Sequence, residues 1–269
     1  DQYFSLERAL LSGRDVDAGD HCSIVHMSVN KGATQYVKKL LRRCCEQNGM
    51  QHVMLNEYVS GKEIPFLDHL SAAEMSEYQV AFRKKGFLYS AFGGFVEGIP
   101  DFDSYKSILV VRDPRDVLIS KYYSRSYSHP PPGAKSKCAI FDENRKRALE
   151  TNLESFVLEE ISRVAEVYRR YMAHRDAMSM TRILTYEFMI HDFKKWLSEL
   201  LDYCELEISA ELREALVAEA DEARKSREDV NNHRRQVLPG DHKRKLQSEI
   251  IEEINQKLGD ILDYFAYAK

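Results

Sequence analysis

The sequence of 269 residues has little of several features that would each define a class of protein. It contains no run of about 18 apolar residues, so no segment is predicted to span a bilayer. Its first residues lack a basic segment followed by an apolar run, so no signal peptide is visible. Residue 1 is not Met, which leaves open that an upstream piece was removed. We therefore expect a cytoplasmic protein without a membrane partner.

Cysteine is also scarce. The chain has five cysteines, an odd number, and two of them, Cys44 and Cys45, are neighbours in a helical pattern. No Cys-x-x-Cys pair occurs, and residues that could bind a metal do not cluster in the sequence. This pattern predicts reduced thiols in the core or on the surface, and neither a disulfide framework nor a metal cofactor.

The sequence also has no large excess of positive or of negative charge. The formal net charge is -4, so the protein is not expected to coat nucleic acid. Hydrophobic residues make up 43% and charged residues 30% of the chain, which is typical of a folded protein. The length fits a single domain over residues 1–269. Any anion site must then be local, made by a few basic side chains in one pocket.

Short apolar runs alternate with helical patterns along the chain. We predict strands at 22–29, 52–58, 87–92, 107–111 and 182–186, and helices at 34–47, 71–83, 116–126 and 153–174. Ser71 and Glu74 form a capping box at the start of the second helix. This alternation predicts an α/β fold with three layers, a central parallel sheet flanked by helices. Segments 128–138, a candidate lid, and 226–241 are predicted loops.

Ligands of such sheets bind beyond the carboxyl ends of the strands. The segment after the first predicted strand reads S-V-N-K-G-A-T-Q from Ser28 to Gln35. A turn of small residues that leads into a helix points backbone N–H groups at an anion, and the helix dipole favours negative charge. Lys31 adds a charge and Thr34 a hydroxyl. It is not a Walker A loop, because the lysine precedes the glycine. The alternative is an ordinary tight turn with a solvated lysine.

A second motif follows the fourth predicted strand and reads R-D-P-R-D-V-L-I-S-K-Y-Y from Arg112 to Tyr123. The planar guanidinium of Arg112, at the strand's carboxyl end, can hold a phosphate through two hydrogen bonds. Pro114 suits the first turn of a helix. Ser120 lies eight residues beyond Arg112, about two helical turns on, and can present its hydroxyl to the same ligand. The alternative is a surface Arg–Asp pair.

Together the two motifs resemble those of sulfotransferases that use 3′-phosphoadenosine-5′-phosphosulfate (PAPS). The second closely matches the family pattern R-[DN]-P-[RK]-D-x-x-x-S-x-Y-Y, which binds the donor's 3′-phosphate. The first is similar to the family's 5′-phosphosulfate loop, P-K-S-G-T-T, and keeps its lysine-to-threonine spacing. Asn30, Ala33 and Gln35 depart from the commonest form. The resemblance implies a phosphate-binding strand–loop–helix, with PAPS as donor and PAP, 3′-phosphoadenosine-5′-phosphate, as product.

Later segments extend this resemblance over residues 22–246. T-Y-E from Thr185 is similar to a family segment whose tyrosine lies near the nucleotide, and R-Q-V-L-P-G-D-H from Arg235 is similar to R-K-G-x-x-G-D-W. Tyr36 replaces a tryptophan that follows the first loop and can stack on adenine, or it is a core tyrosine. The resemblance therefore implies these donor-binding residues: Lys31, Gly32, Ala33, Thr34, Gln35, Tyr36, Arg112, Ser120, Tyr186, Arg235 and Gly240.

The resemblance also implies a reaction, in which sulfonate passes to a hydroxyl or amine of a small-molecule acceptor. Lys31 would stabilise the bridging oxygen as the S–O bond breaks. A base must take the acceptor's proton, and the histidine that many members carry after the third strand is absent here. Glu57, after the second strand, is the first candidate for this base, and His129 is the second. We expect a secondary metabolite as acceptor; the sequence does not predict the oligomeric state.

Two other functions remain open at this point. A nucleotide-dependent phosphoryl transferase would share the sheet and a phosphate loop, although the lysine-before-glycine order and the lack of a clear Walker B pattern disfavour it. A non-catalytic PAP-binding protein would keep the fold without the base, although retention of Lys31 disfavours it.

Overall fold

A computed structural model describes residues 3–60, 62, 64–128, 135–225, 228–229 and 236–269, without side chains at 135–137. The strands are β1 (Ile24–Ser28), β2 (Gln51–Val53), β3 (Phe87–Phe92), β4 (Lys106–Val111) and β5 (Arg182–Thr185). The helices are α1 (Ser5–Leu11), α2 (Thr34–Gln47), α3 (Leu55–Ser60), α4 (Pro114–Tyr123), α5 (Lys135–Glu150), α6 (Leu153–Ala173), α7 (Tyr186–His191), α8 (Phe193–Cys204), α9 (Ala210–Lys225), α10 (Asp241–Lys245), α11 (Ser248–Lys257) and α12 (Gly259–Tyr264).

Contacts between residues divide the chain into two compact units. The first comprises Asp1–Val111 and Arg170–Val217, and the second comprises Arg112–Arg169 and Ala218–Lys269. Each unit is described by itself below. The assignment of residues 1–269 to a single domain stays a prediction.

The first unit contains the sheet, whose strands lie in the order β2-β3-β1-β4-β5 and pair in parallel. The central strand β1 is buried along its whole length, with Ile24 opposite Leu88 of β3 on one side and Lys106 of β4 on the other. A strand covered on both faces is expected to be mainly apolar, and β1 is so apart from His26 and Ser28, which are buried as well. The predicted α/β fold, a central parallel sheet flanked by helices, is confirmed.

Helix α2 shows how the sequence positions one of these flanking helices. Its apolar residues recur every three or four positions, so they share one face, and that face is buried against β2 and β3. Burial of each large apolar side chain contributes about 1.5–3 kcal/mol. The buried residues are Val37, Leu40, Leu41, Cys44 and Cys45. The bounds of α2 agree with the predicted helix 34–47.

Several predicted elements are wrong in part. The strand predicted at 52–58 ends at Val53 and is followed by α3, because the apolar residues beyond Met54 follow a helical period. The helix predicted at 71–83 is two 3₁₀ turns, Glu74–Glu77 and Gln79–Ala81. Its capping box does form, since Ser71 N donates to Glu74 Oε2 at 2.8 Å. The side chain of Gln79 donates to the carbonyl of Gly98 at 2.9 Å, a tertiary contact that competes with a regular helix.

Further differences concern element ends. The helix predicted at 116–126 begins earlier, at Pro114, and continues beyond Tyr123 as a π-helical turn, Ser124–Ser128. In the predicted loop 128–138, residues 129–134 lie outside the described part of the chain, and α5 already begins at Lys135. In the predicted loop 226–241, residues 228–229 and 236–240 are irregular, and α10 begins at Asp241. Among the described residues, no helix is both long and apolar enough to cross a membrane.

Candidate functional site

The loop between β1 and α2 has an unusual backbone. Lys31 and Ala33 adopt left-handed conformations, with φ of 70° and 64°, at a cost of about 1–2 kcal/mol each. No side chain caps the N-terminus of α2 at Ala33. The first N–H groups of α2 therefore lack intrahelical partners, as at any helix start, and the positive end of its dipole faces this loop. Such a turn is suited to an anion.

Glycine is required at the centre of this loop. A β-carbon built on Gly32 would lie 3.0 Å from the Val29 carbonyl oxygen and 3.1 Å from Val29 Cγ2. The N–H of Gly32 donates to the same carbonyl at 3.0 Å, which closes the turn. Val29 N in turn donates to the Val110 carbonyl at 3.0 Å, so the loop starts from the β1–β4 pair. The chain thus fixes the loop at the carboxyl end of the sheet.

The hydroxyl of Thr34 points back toward β1. Its Oγ1 lies 2.9 Å from Ser28 Oγ and donates to the Val29 carbonyl at 3.4 Å. Ser28 Oγ also donates to the Val29 carbonyl, at 3.1 Å. Ser28 is therefore part of this hydroxyl pair, although the sequence did not single it out. Its position at the end of a buried strand, six residues before Thr34, was the available signal.

Two tyrosines with predicted donor contacts also belong to the first unit. The ring of Tyr36 meets that of Phe193 edge to face, with centroids 6.3 Å apart. Tyr186 is buried as the first residue of α7, whose start is capped by Thr185 Oγ1 accepting from Phe188 N at 3.1 Å. Gln35 is exposed. Their contacts with a nucleotide stay predictions.

Arg112 is the first residue of the second unit and follows β4 directly. Its side chain is buried, and its carbonyl accepts a hydrogen bond from the Tyr168 hydroxyl. Its guanidinium lies 4.0 Å from Asp116 Oδ2. Ser120, eight residues beyond Arg112 in α4, is partly exposed. A buried guanidinium at the start of a helix is a strong potential partner for a phosphate.

The other arginine of the motif has a structural role. Arg115 donates to both carboxylate oxygens of Asp113, at 2.9 and 2.7 Å. It also donates to Asn255 Oδ1 at 2.8 Å and to the Ala268 carbonyl at 2.7 Å. Asp113 caps α4 by accepting from Arg115 N at 2.9 Å. Arg115 therefore ties α4 to the C-terminal segment.

Asp116 brings two of the predicted donor-binding segments together. It is fully buried and accepts hydrogen bonds from Gly240 N at 2.7 Å and from His242 N at 2.9 Å. His242 Nδ1 donates a third bond at 2.7 Å. Burial opposes ionisation of Asp116, but the bonds from His242 and the charge of Arg112 lower its pKa to about 2. Gly240, with φ of 82°, thus joins the Arg112 motif; Arg235 lies outside the described residues.

The two predicted bases are placed differently. Glu57 lies in α3, not in a loop, and its Oε1 forms an ion pair with Lys38 Nζ of α2. Its Oε2 is buried without a hydrogen-bond partner among the described residues. His129 lies outside the described residues.

Two histidines, His26 and His52, contact Ser90 of β3. His26 Nδ1 lies 2.7 Å from Ser90 Oγ, and His52 Nε2 lies 3.3 Å from the Ser90 carbonyl oxygen. Burial lowers the pKa of His26 to about 3, helped by the charges of His52 and Lys38. Burial also lowers the pKa of His52 to about 4. Both rings are therefore neutral at pH 7.

A cavity of about 310 Å³ lies within the second unit. Its charged lining is already paired: Glu160 binds Lys121 and Arg125 at 3.0 Å each, and Arg147 binds Glu159 at 2.9 Å. Burial alone would raise the pKa of Glu160, but these cations bring it to about 2. Among the described residues, no group of three or more His, Cys, Asp or Glu side chains is arranged to hold a metal ion.

The parallel sheet and the β1–loop–α2 unit define an α/β protein whose first loop resembles a phosphate-binding loop. A family model described as "Sulfotransferase domain" matches residues 95–261, more than half of the chain. The chain therefore belongs to the sulfotransferase family. A sequence comparison with curated proteins finds no match.

Solved structures are similar in fold. The mouse sulfotransferase SULT7A1 complexed with PAP superposes with a TM-score of 0.58 at 13% identity, covering 97% of this chain and 90% of that one. Retinol dehydratase in complex with retinol and PAP gives 0.57 at 14% identity, covering 89% and 81%. Retinol dehydratase with androsterone and the inactive cofactor PAP gives 0.56 at 13% identity, covering 89% and 80%. These likenesses support the fold.

Proposed function

We propose that this protein transfers the sulfonate group of PAPS to a hydroxyl or amine of a small-molecule acceptor. The observation that carries the proposal is the β1–α2 loop, where Lys31 and the uncapped start of α2 present positive charge. The motif that begins at Arg112 adds to it, because it matches the family's 3′-phosphate pattern over twelve residues. PAP-bound neighbours of the same fold agree with this donor.

In this proposal, different residues bind the 5′-phosphate, the 3′-phosphate and the nucleoside of the donor. The loop residues Gly32, Ala33, Thr34 and Gln35 bind the 5′-phosphate through N–H and hydroxyl groups. Arg112, Ser120 and Arg235 bind the 3′-phosphate, where a guanidinium offers two parallel hydrogen bonds. Gly240, from the same sequence motif as Arg235, donates to Asp116. Tyr36 and Tyr186 contact the nucleoside.

The reaction forms a bond between the acceptor oxygen or nitrogen and sulfur and breaks the bond from sulfur to the bridging oxygen. Negative charge then develops on the departing 5′-phosphate. Lys31 stabilises this charge. Electrostatic stabilisation of this kind is usually the largest single contribution to the rate enhancement. The remaining demand is removal of the acceptor's proton, for which the sequence predicts Glu57 first and His129 second.

Calorimetry with PAP, ADP and ATP tests the donor. We expect PAP to bind more tightly than ADP, because ADP lacks the 3′-phosphate that Arg112 would hold. Preference for ATP together with a requirement for Mg²⁺ would instead indicate a phosphoryl transferase. Tight PAP binding without any release of PAP from PAPS would indicate a non-catalytic PAP-binding protein.

The acceptor class is tested separately by measuring PAP release from PAPS with a panel of small phenols, alkyl alcohols and amines. We expect turnover with at least one of these, and a secondary metabolite remains the proposed natural acceptor. Turnover confined to polysaccharide acceptors would contradict the small-molecule part of the proposal.

A further inference from the structure

A buried carboxylate, Asp68, lies beside the turn that ends β3. Its side chain is only 3% exposed. A β-carbon built on Gly93 or on Gly94 would lie 3.4 Å from its Oδ2, and the one on Gly93 would also lie 3.9 Å from Asn30 Oδ1. Asn30 is the residue before Lys31. Asp68 Oδ2 and Asn30 Oδ1 of the β1–α2 loop therefore flank the same turn of two glycines.

The orientation of this carboxylate is fixed by a chain of hydrogen bonds that starts from the backbone. Leu67 N donates to Asn56 Oδ1 at 2.9 Å, so the amide nitrogen of Asn56 must face the other way. That nitrogen donates to Asp68 Oδ1 at 2.6 Å. The backbone is held as well, since Arg170 Nη2 donates to the Asp68 carbonyl at 2.5 Å. One carboxylate oxygen is thus anchored, and Oδ2 is directed at the glycine turn.

Few other groups face Oδ2 among the described residues. His69 Nε2 lies 3.7 Å away, on a ring that is 57% exposed. The hydroxyl of Tyr171 is close enough for the charge of Asp68 to add to the effect of burial in raising the pKa of Tyr171. Gly93 and Gly94 contribute no side chain. A β-carbon on Gly93 would meet Oδ2 at 3.4 Å, an ordinary van der Waals distance, so a group of about that size fits beside Oδ2.

Glu57 is arranged less favourably for the same task. Its Oε1 is held by the Lys38 ammonium, so that oxygen is already engaged by a cation. Its Oε2 is buried. A general base needs one group that orients it and one oxygen free to reach the proton, and Asp68 has both.

We infer that Asp68, rather than Glu57, is the catalytic residue that accepts the hydrogen bond of the acceptor's hydroxyl or amine and takes up its proton. The inference rests on the proposed function. As the new bond to sulfur forms and the bond to the bridging oxygen breaks, the bridging electron pair leaves with PAP. The acceptor's proton passes to Asp68 Oδ2, so charge and atoms balance without a further reactant.

The substitution Asp68→Asn tests this sharply. Because Asn56 donates to the Oδ1 position, the new amide must place its oxygen there and its NH₂ toward the glycine turn. The open position then changes from a hydrogen-bond acceptor to a donor, with almost no change in volume. We expect PAP affinity to be unchanged and PAP release from PAPS to fall about 100-fold or more.

The assay compares wild type, Asp68→Asn, Glu57→Gln and the exposed control Glu77→Gln. The acceptors are 2-naphthol, cyclohexylmethanol and cyclohexylmethylamine. A reaction without added acceptor measures the background hydrolysis of PAPS by water. The loss in Asp68→Asn should be larger with cyclohexylmethanol than with 2-naphthol, because an alkyl alcohol holds its proton more tightly. A merely structural role would reduce both rates equally.

The outcomes distinguish a failure of the proposed function from a failure of the inference about Asp68. Wild type that fails to bind PAP refutes the proposed function. PAP binding with normal turnover in Asp68→Asn, or with collapse of turnover in Glu57→Gln alone, overturns the inference about Asp68.

A second variant guards against misfolding of Asp68→Asn. Gly93→Ala places a methyl in ordinary contact with Oδ2 and covers it, and Gly93 does not adopt a positive φ. We expect Gly93→Ala to keep its PAP affinity and its thermal unfolding temperature while kcat/KM for the acceptor falls about tenfold, as expected for a partly blocked base. Unchanged kcat/KM in Gly93→Ala would overturn the inference even if Asp68→Asn does not fold.

Discussion

His26 Nδ1 lies 2.7 Å from Ser90 Oγ, in a fully buried contact between the two neighbouring strands β1 and β3. Burial, together with the charges of His52 and Lys38, holds its pKa at about 3 instead of 6.5. A folded state that binds a proton less readily than the unfolded state loses stability as the pH falls below the unfolded pKa. This contact therefore makes the protein sensitive to mild acid.

We predict that the free energy of unfolding falls by about 1.6 kcal/mol between pH 6.5 and 5 for His26 alone, with a slope that approaches about 1.4 kcal/mol per pH unit toward pH 5. The double variant His26→Leu/Ser90→Ala removes the histidine without leaving its serine partner unpaired, and should show a shallower pH dependence. Urea denaturation at several pH values measures this, with Ser90→Ala as the control that keeps the histidine. Equal slopes in the double variant and in wild type would contradict the assignment.

Asp116→Asn is expected to destabilise the protein by about 3 kcal/mol, since it disrupts three buried hydrogen bonds from Gly240 and His242. The pKa of Asp116 is about 2, below its usual 3.8, so the stabilisation is present above pH 3.8 and is lost as the pH falls toward 2. Urea denaturation at pH 7 measures the difference. The same substitution at Asp260, in an exposed pair with Arg169, should cost less than about 1 kcal/mol. Equal losses of unfolding free energy at both positions would contradict the role of Asp116 as a buried hydrogen-bond acceptor.

Arg112→Ala should weaken PAP binding by about 10- to 100-fold, the loss expected for a charge-assisted hydrogen-bond pair. Calorimetry with PAP measures this. Arg163→Ala, at a 70% exposed side chain, removes the same charge from the chain and should leave the affinity unchanged. Normal PAP affinity in Arg112→Ala would exclude Arg112 from the 3′-phosphate site.

Lys31→Ala should slow PAP release from PAPS by about 100-fold or more, because a cation placed where charge develops acts mainly on the transition state. PAP affinity should change less than the rate does. The comparison of a calorimetric titration with the turnover assay separates the two effects. A variant that loses affinity and rate in equal proportion would show that Lys31 binds the donor without assisting transfer.

Gly32→Ala places a methyl within 3.1 Å of two atoms of Val29 and should force the loop to move. We expect a loss of about 1–3 kcal/mol in stability, typical of overpacking, together with weaker PAP binding. Gly259→Ala is the control, since its new methyl would approach no atom nearer than Lys269 Nζ at 3.8 Å. Wild-type PAP affinity in Gly32→Ala would mean that the loop does not contact the donor.

Much of the fold could be predicted from the sequence because its periodic elements are buried on defined faces. Helix α2 and strand β3 have the predicted bounds, 34–47 and 87–92. The segment after Val53 was predicted as strand because a short apolar run fits either period. The segment around Gln79 was predicted as helix, and no local pattern indicates its contact with Gly98.

The candidate site divides in the same way. Lys31 and Arg112 could be proposed from the sequence, because each follows a buried strand in a family-like motif. Asp68 could not be proposed from the sequence, because its candidate role depends on its bond from Asn56 and on a glycine turn about 25 residues further along. No local sequence pattern connects these residues. Likewise, no pattern near Asp116 indicates that its partner is His242.

The bond between Asp116 and His242 has a consequence for the protein as it is made. A chain emerging from the ribosome presents the Arg112 motif more than a hundred residues before its buried carboxylate can be satisfied. Until Gly240 and His242 have been synthesised, Asp116 must stay hydrated, so α4 cannot reach its final packing. Products truncated before Gly240 should therefore be recognised by chaperones and proteases as unfinished.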